Sequence, residues 1–314
     1  MEEQQTHSRL DGAEIIDSEP PLPFIERFGI SPIVFAFFAL LIVFVLYQIV
    51  GGLISLVLFG FKPTGENIFG YRISTGLGQI VFIFIPTLFF VRLATFNIKE
   101  YLRLKSSKFL TFIIPLFGIF SLQQMLQVYL TFQERFPLPE NIKSTLEQFK
   151  QLIEEIYKLL VTSTSISELF IVIITIALIP AVAEEFLFRG LIQRTLEKKL
   201  TPMRSAIVTG IIFGAYHLNL FSFVPLALIG IYLGFLTMRT GSIWVSVTTH
   251  FFNNFLACIA LYLNFKDDYV VLGNASEMSS AALLFTFWLF GVIFLISMLY
   301  FIKITKASEQ GEST

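Results

Sequence analysis

Six polar residues stand where the surrounding sequence is almost wholly apolar: Glu184, Glu185, Arg189, His217, His250 and Asn254. A charge at the centre of a bilayer costs about 2.5–3.5 kcal/mol even on the lenient insertion scale, so such residues turn inward and usually have a function. The chain has 3 histidines, and two of them are in this set. Glu185 and Arg189 are four apart and can pair on one helical face, whereas Glu184 is rotated by about 100°. His250 and Asn254, also four apart, share a face. A carboxylate held out of bulk water can serve as a general base near neutral pH. An adjacent histidine can hold and activate a water, and a second histidine with an amide can donate to a developing oxyanion. These parts make a water-activating hydrolase for a carbonyl substrate, with no serine or cysteine nucleophile. A metal reading uses the same residues, because Glu184, His217 and His250 are a His2Glu set of the kind that holds catalytic zinc. The H-E-x-x-H helix of the common zinc proteases is absent.

The elements that position these residues are membrane helices. Of 314 residues, 55% are hydrophobic and only 14% charged, against about 25% charged in a soluble domain. Mean hydropathy is +0.75. The continuous apolar runs read as about eight spans, roughly 32–60, 73–93, 109–131, 166–193, 205–220, 222–238, 242–263 and 281–302, since only helices or closed barrels satisfy the backbone in lipid. The fold class expected is therefore all-α, a polytopic transmembrane bundle with one amphipathic extramembrane helix. Counted from span ends near Gln193, Ser205 and Ser242, the helical rise puts Glu184 about 14 Å in, His217 about 18 Å, His250 about 12 Å and Asn254 about 18 Å. One shared layer is what a common site needs. Pro180 removes the donor that would reach the Ile176 carbonyl and bends its helix. Gln123, Gln124 and Gln127 in the third span suit hydrogen bonds between helices.

Basic residues fall about twice as often in one set of connections as in the other, which puts both termini in the cytoplasm. The connection 132–165 carries Ile142, Leu146, Phe149, Ile153, Ile156, Tyr157 and Leu160 at helical spacing. With Pro139 at its start, it reads as an amphipathic helix on the membrane surface. Residues 1–31 are polar, lack the features of a signal peptide and read as a disordered cytoplasmic tail. The remaining divisions are 32–165, N-terminal spans and connector; 166–263, the segment holding the polar cluster; and 264–314, the last span and a cytoplasmic tail. The single cysteine, Cys258, excludes an intramolecular disulfide. The net charge of -1 gives no sign of a nucleic-acid partner.

Three motifs then carry a resemblance. Glu184-Glu185-Phe186-Leu187-Phe188-Arg189 fits E-E-x-x-x-R, Phe213-Gly214-Ala215-Tyr216-His217 fits F-x-x-x-H, and His250-Phe251-Phe252-Asn253-Asn254 fits H-x-x-x-N. In this order, on apolar helices, they resemble the CPBP group of intramembrane proteases, which comprises type II CAAX prenyl endopeptidases and bacterial Abi self-immunity proteins. The resemblance covers about 166–263. It implies that Glu184 and His217 activate water, that His250 and Asn254 form the oxyanion site, and that Glu185 and Arg189 support them from behind. It implies a peptide or membrane-protein substrate in the bilayer. The cofactor is left open between none and a divalent metal such as zinc, and the oligomeric state is open too. The short loops suit a bacterial inner membrane. Two other readings use the same residues: a non-catalytic binding or immunity protein, and a proton-coupled transporter, which the lack of repeated halves disfavours.

Overall fold

The computed structural model describes residues 22–60, 63–137, 139–263, 269–270 and 273–311. The chain is an all-α membrane bundle. Its helices are α1 (Phe24–Arg27), α2 (Pro32–Phe59), α3 (Ile68–Ala94), α4 (Ile98–Tyr101), α5 (Phe109–Glu134), α6 (Glu140–Val161), α7 (Ile166–Leu196), α8 (Pro202–Tyr216), α9 (Phe223–Thr240), α10 (Ile243–Tyr262) and α11 (Ser280–Gly311). Between α10 and α11, Tyr269–Val270 and Gly273–Asn274 pair as a minimal antiparallel ladder. The expected tail 1–31 lies outside the described residues as far as 21. The rest of it is ordered: α1 buries Ile25 and pairs Glu26 with Lys198 at 3.1 Å.

Seven of these helices are long and apolar enough to cross a membrane: α2, α3, α5, α7, α9, α10 and the Ser280–Lys306 part of α11. The fifth expected span is different. α8 has 15 residues, about 22 Å of helix, short of the roughly 20 residues a span needs. Thr201 caps its start by accepting from the Arg204 N–H, and Pro202 opens its first turn. Its end is forced by Leu218, whose φ of 52° no continuing helix allows. Asn219 Oδ1 then accepts from the N–H groups of Phe221 and Ser222, which turns the chain into α9. The two helices form a tight hairpin. Gly210 lies against the backbone of Gly230 and Ile231, and Gly214 against Phe223 and Ala227, the close approach that small residues permit between membrane helices.

The long helix α7 is the axis of the site. It packs against α2, α3, α8 and α10, and one core cluster gathers Leu187, Phe188, Leu191 and Ile192 of α7 with Ala39, Ile83 and Phe213. A second cluster joins Ile119 of α5, Leu233 of α9 and Phe301 of α11. α7 is π-helical over Ile173–Leu178 and again over Phe186–Gln193, with α2 and α3 π-helical at Val45–Gly51 and Ile80–Phe84. Such widened turns often mark functional sites.

The expected amphipathic helix is present as α6, with Pro139 at its N-cap. Its C-terminus is held by Arg72 of α3, which is buried. The guanidinium donates to the carbonyls of Leu160 at 2.8 Å, Leu159 at 3.3 Å and Thr162. Gln123 Nε2 of α5 donates to the Asn253 carbonyl of α10 at 3.4 Å, an interhelical bond as expected.

Candidate active site

Glu184 and Glu185 sit where α7 passes from α-helical Ile179–Glu185 to π-helical Phe186–Gln193. They face different partners. The Glu185 carboxylate and the Arg189 guanidinium are both 0% exposed and lie 2.8 Å apart. Arg189 Nη2 donates to the Gly230 carbonyl of α9 at 2.8 Å, and its guanidinium stacks 4.9 Å from the Phe213 ring of α8. Glu185 Oε1 also accepts from His250 Nδ1 of α10 at 2.9 Å. One carboxylate oxygen thus ties α7 to α10, while its arginine ties α7 to α8 and α9.

Glu184 makes no hydrogen bond among the described residues. Its Oε2 is buried and has no hydrogen-bond partner. The Nε2 atoms of His217 and His250 stand 3.9 Å and 4.0 Å from it. His217 follows the last residue of α8, and its Nδ1 lies 2.8 Å from the Phe213 carbonyl. A carbonyl only accepts, so Nδ1 carries a proton, and in the neutral imidazole Nε2 presents a lone pair toward Glu184. The Glu185 carboxylate likewise draws the Nδ1 proton of His250 and turns its Nε2 toward Glu184. These separations are too long for direct hydrogen bonds. They suit a water in the gap, since two bonds of ~2.8 Å to one oxygen span roughly 4–4.5 Å.

Asn254 is one turn beyond His250. Its Nδ2 donates to the Ile176 carbonyl at 3.4 Å and its Oδ1 accepts from Asn253 at 3.1 Å. Ile176 is the residue whose i+4 neighbour, Pro180, has no N–H to give, so the amide adds a donor to that carbonyl. Of the six residues singled out in the sequence, five are thus linked through Glu184 and Glu185. Asn254 borders them but is committed to the backbone.

Glu184, His217 and His250 are chemically a zinc set, yet their facing atoms are spread wider than the ~3.4 Å between donors of a tetrahedral zinc. No group of three His, Cys, Asp or Glu among the described residues is arranged to hold an ion. The two separations are close to the span of a bridging water.

Four residues near the site were not singled out in the sequence. Tyr216 places its backbone carbonyl 3.2 Å from Gln48 Nε2, and its buried hydroxyl has no partner. Tyr47 accepts from Gln79 Nε2 at 3.3 Å. Both tyrosines lie in the field of the Glu184 carboxylate. They bring α2 and α3 to the wall of the site. Tyr and Gln in an apolar span carry no formal charge, so only the F-x-x-x-H context of Tyr216 could have drawn notice.

Residues 166–256 match the family model described as Rce1-like, type II CAAX prenyl endopeptidase. Comparison with curated proteins and with solved structures gave no match. The matched stretch runs from the start of α7 into α10 and holds all six residues of the cluster, Glu184 through Asn254. Over that stretch the chain is similar to the Rce1-like type II CAAX prenyl endopeptidases, a match that supports membership of the CPBP group.

Proposed function

We propose that this protein is an intramembrane endopeptidase in which Glu184 activates a water against a peptide carbonyl. The observation that carries this reading is the orphaned Glu184 Oε2 flanked by two imidazole Nε2 atoms at 3.9 and 4.0 Å. A water there donates one proton to Glu184 Oε2 and the other to His217 Nε2, because both are acceptors. Its oxygen lone pair is then free to meet the substrate carbonyl. Glu184 takes the proton as the water oxygen bonds to the carbonyl carbon. The protonated Glu184 next gives that proton to the amide nitrogen as the C–N bond breaks, releasing an amine and a carboxylic acid.

The negative charge that gathers on the carbonyl oxygen needs donors. His250 supplies one when protonated at Nε2, and the Glu185 carboxylate at its Nδ1 stabilises that imidazolium. Asn254 supplies a second by exchanging its 3.4 Å bond to Ile176 for the substrate oxygen. Arg189 balances the charge of Glu185, so Glu184 alone carries the unpaired carboxylate. The substrate class to test first is the prenylated C-terminal CAAX peptide, on the description of the matched family.

The test is hydrolysis by the full chain in lipid, wild type beside Glu184→Gln, with prenylated and unprenylated peptides. Cleavage by the wild type and none by folded Glu184→Gln supports the reading. Equal cleavage by both, or by neither with both folded, rejects it.

A further inference from the structure

A cavity of about 510 Å³ opens at the end of the bundle where α3, α9 and α7 finish and α5 and α10 begin. It is lined by Lys99, Arg103, Lys105 and Arg194, with Glu100 the lone acid on its wall. The Glu100 Oε2 atom is occupied by Asn97 Nδ2 at 2.8 Å. Glu197 pairs with Arg103 and, at 3.3 Å, with Arg194. No ion pair among the described residues involves Lys99 or Lys105. The cavity therefore keeps an excess of about two positive charges after its neighbours are counted.

The backbone is arranged so that this charge is not cancelled by carbonyls. Arg103 is held at φ 56°, in the left-handed region, and its carbonyl accepts from the Ile243 N–H at 3.0 Å. The Leu104 carbonyl accepts from Trp244 Nε1 at 3.2 Å, and the Lys105 carbonyl from Ser242 Oγ at 2.6 Å. All three carbonyls of the 103–105 loop are thus spent on the start of α10. Gly241, at φ +58°, leaves the room that Lys105 uses: a Cβ there would lie 3.0 Å from Lys105 Cε and 3.3 Å from its Nζ.

The cavity also lies at the level where the membrane ends. Phe96 is 50% exposed, Phe109 74% and Trp244 37%. Exposed aromatics at span ends, with a tryptophan N–H held on the polar side, mark the interface between hydrocarbon and water. Basic pockets at that level between membrane helices are suited to anionic headgroups. We propose that this cavity binds the phosphate headgroup of an anionic membrane lipid, separately from the Glu184 site.

Trp244 gives a local probe, because the chain has 2 tryptophans and the other, Trp288, is 68% exposed on α11. The full chain with Trp288→Phe would be purified in neutral detergent and titrated with short-chain phosphatidylglycerol, following Trp244 fluorescence. Phosphatidylcholine and inorganic phosphate form the other arms. Saturable binding of phosphatidylglycerol, weakened about thirtyfold by Lys99→Gln with Lys105→Gln, is expected from two lysines near an anionic group. The charge-matched Lys303→Gln with Lys306→Gln, on exposed lysines of α11, is expected to bind like the parent. Equal weakening by both pairs would reduce the effect to diffuse surface charge and overturn the proposal. The same response to phosphatidylcholine would overturn it, and so would saturation by inorganic phosphate at comparable concentration, which would mark a soluble-anion site. None of these readouts depends on peptide hydrolysis, so the peptidase reading stands or falls apart from it.

Discussion

Replacing Glu185 by Gln keeps the shape of the side chain and removes its charge, which isolates what that charge holds. Glu185 Oε1 accepts from Arg189 at 2.8 Å and from His250 at 2.9 Å, and the carboxylate and guanidinium are wholly buried. A hydrogen bond to a charged group is worth about 1.5–3 kcal/mol, and breaking a buried pair from one side costs about 3–5 kcal/mol. Arg189 cannot shed its proton. Glu185→Gln therefore leaves a buried guanidinium without its counter-charge, held by a neutral amide oxygen, the Gly230 carbonyl and the Phe213 and Phe188 rings, and the expected loss is about 4 kcal/mol. Arg189→Met should cost less, because the stranded carboxylate keeps the His250 N–H. The double variant should recover about 2 kcal/mol relative to Glu185→Gln, the remaining deficit being the lost charged bond from Arg189 to the Gly230 carbonyl. Equilibrium unfolding in mixed micelles of rising sodium dodecyl sulfate content would measure all four proteins. A loss under about 1 kcal/mol for Glu185→Gln, or a double variant less stable than it, would refute the account of this pair.

Two other perturbations read the scaffold. A Cβ at Gly210 would stand 2.4 Å from the Ile231 backbone nitrogen and 2.8 Å from the Gly230 carbonyl carbon, so Gly210→Ala must part α8 from α9. The expected cost is about 1–3 kcal/mol with a lower peptidase rate, while Gly52→Ala, with nothing within 4 Å, should be tolerated in both measurements. Arg72→Ala removes the donor to three carbonyls at the end of α6. Limited proteolysis should then cut faster near Leu160, and an unchanged cleavage pattern would show that α6 is held by other means.

The site was legible in the sequence where it rests on local spacing or on the cost of burying charge. The Glu185–Arg189 pair follows from the interval of four, and His217 and His250 stand out because histidine is rare in an apolar run. The bond from Glu185 to His250 spans 65 positions, and no periodicity announces it. The widened turns of α7 were hidden because a shift from i+4 to i+5 bonding leaves no mark on composition. The fifth expected span was counted in error because Leu218, Leu220 and Phe221 continue the apolar run through a turn. The capping residues Thr201 and Pro202 and the turn-forming Asn219 were the readable signs of a shorter helix. Tyr47, Gln79 and Tyr216 escaped because uncharged polar groups cost too little in lipid to look out of place.

The adjacent carboxylates of α7 are chemically identical, and their surroundings give them opposite work. Glu185 Oε1 accepts from both Arg189 and His250, so its charge is engaged in joining α7 to α8, α9 and α10, although its Oε2, like that of Glu184, has no hydrogen-bond partner among the described residues. Glu184 is rotated away from those donors, and its Oε2 is buried without one, a configuration that works against stability and suits the base that the proposed mechanism requires. The same Glu→Gln change at the two positions should therefore separate the two properties. At Glu185 it lowers stability first, and activity falls with the misplaced His250. At Glu184 it removes the base while relieving an orphaned charge, so stability should hold or rise as turnover disappears. A fold that needed both carboxylates for its integrity would lose stability at each, and the division of labour between the neighbours would then be wrong.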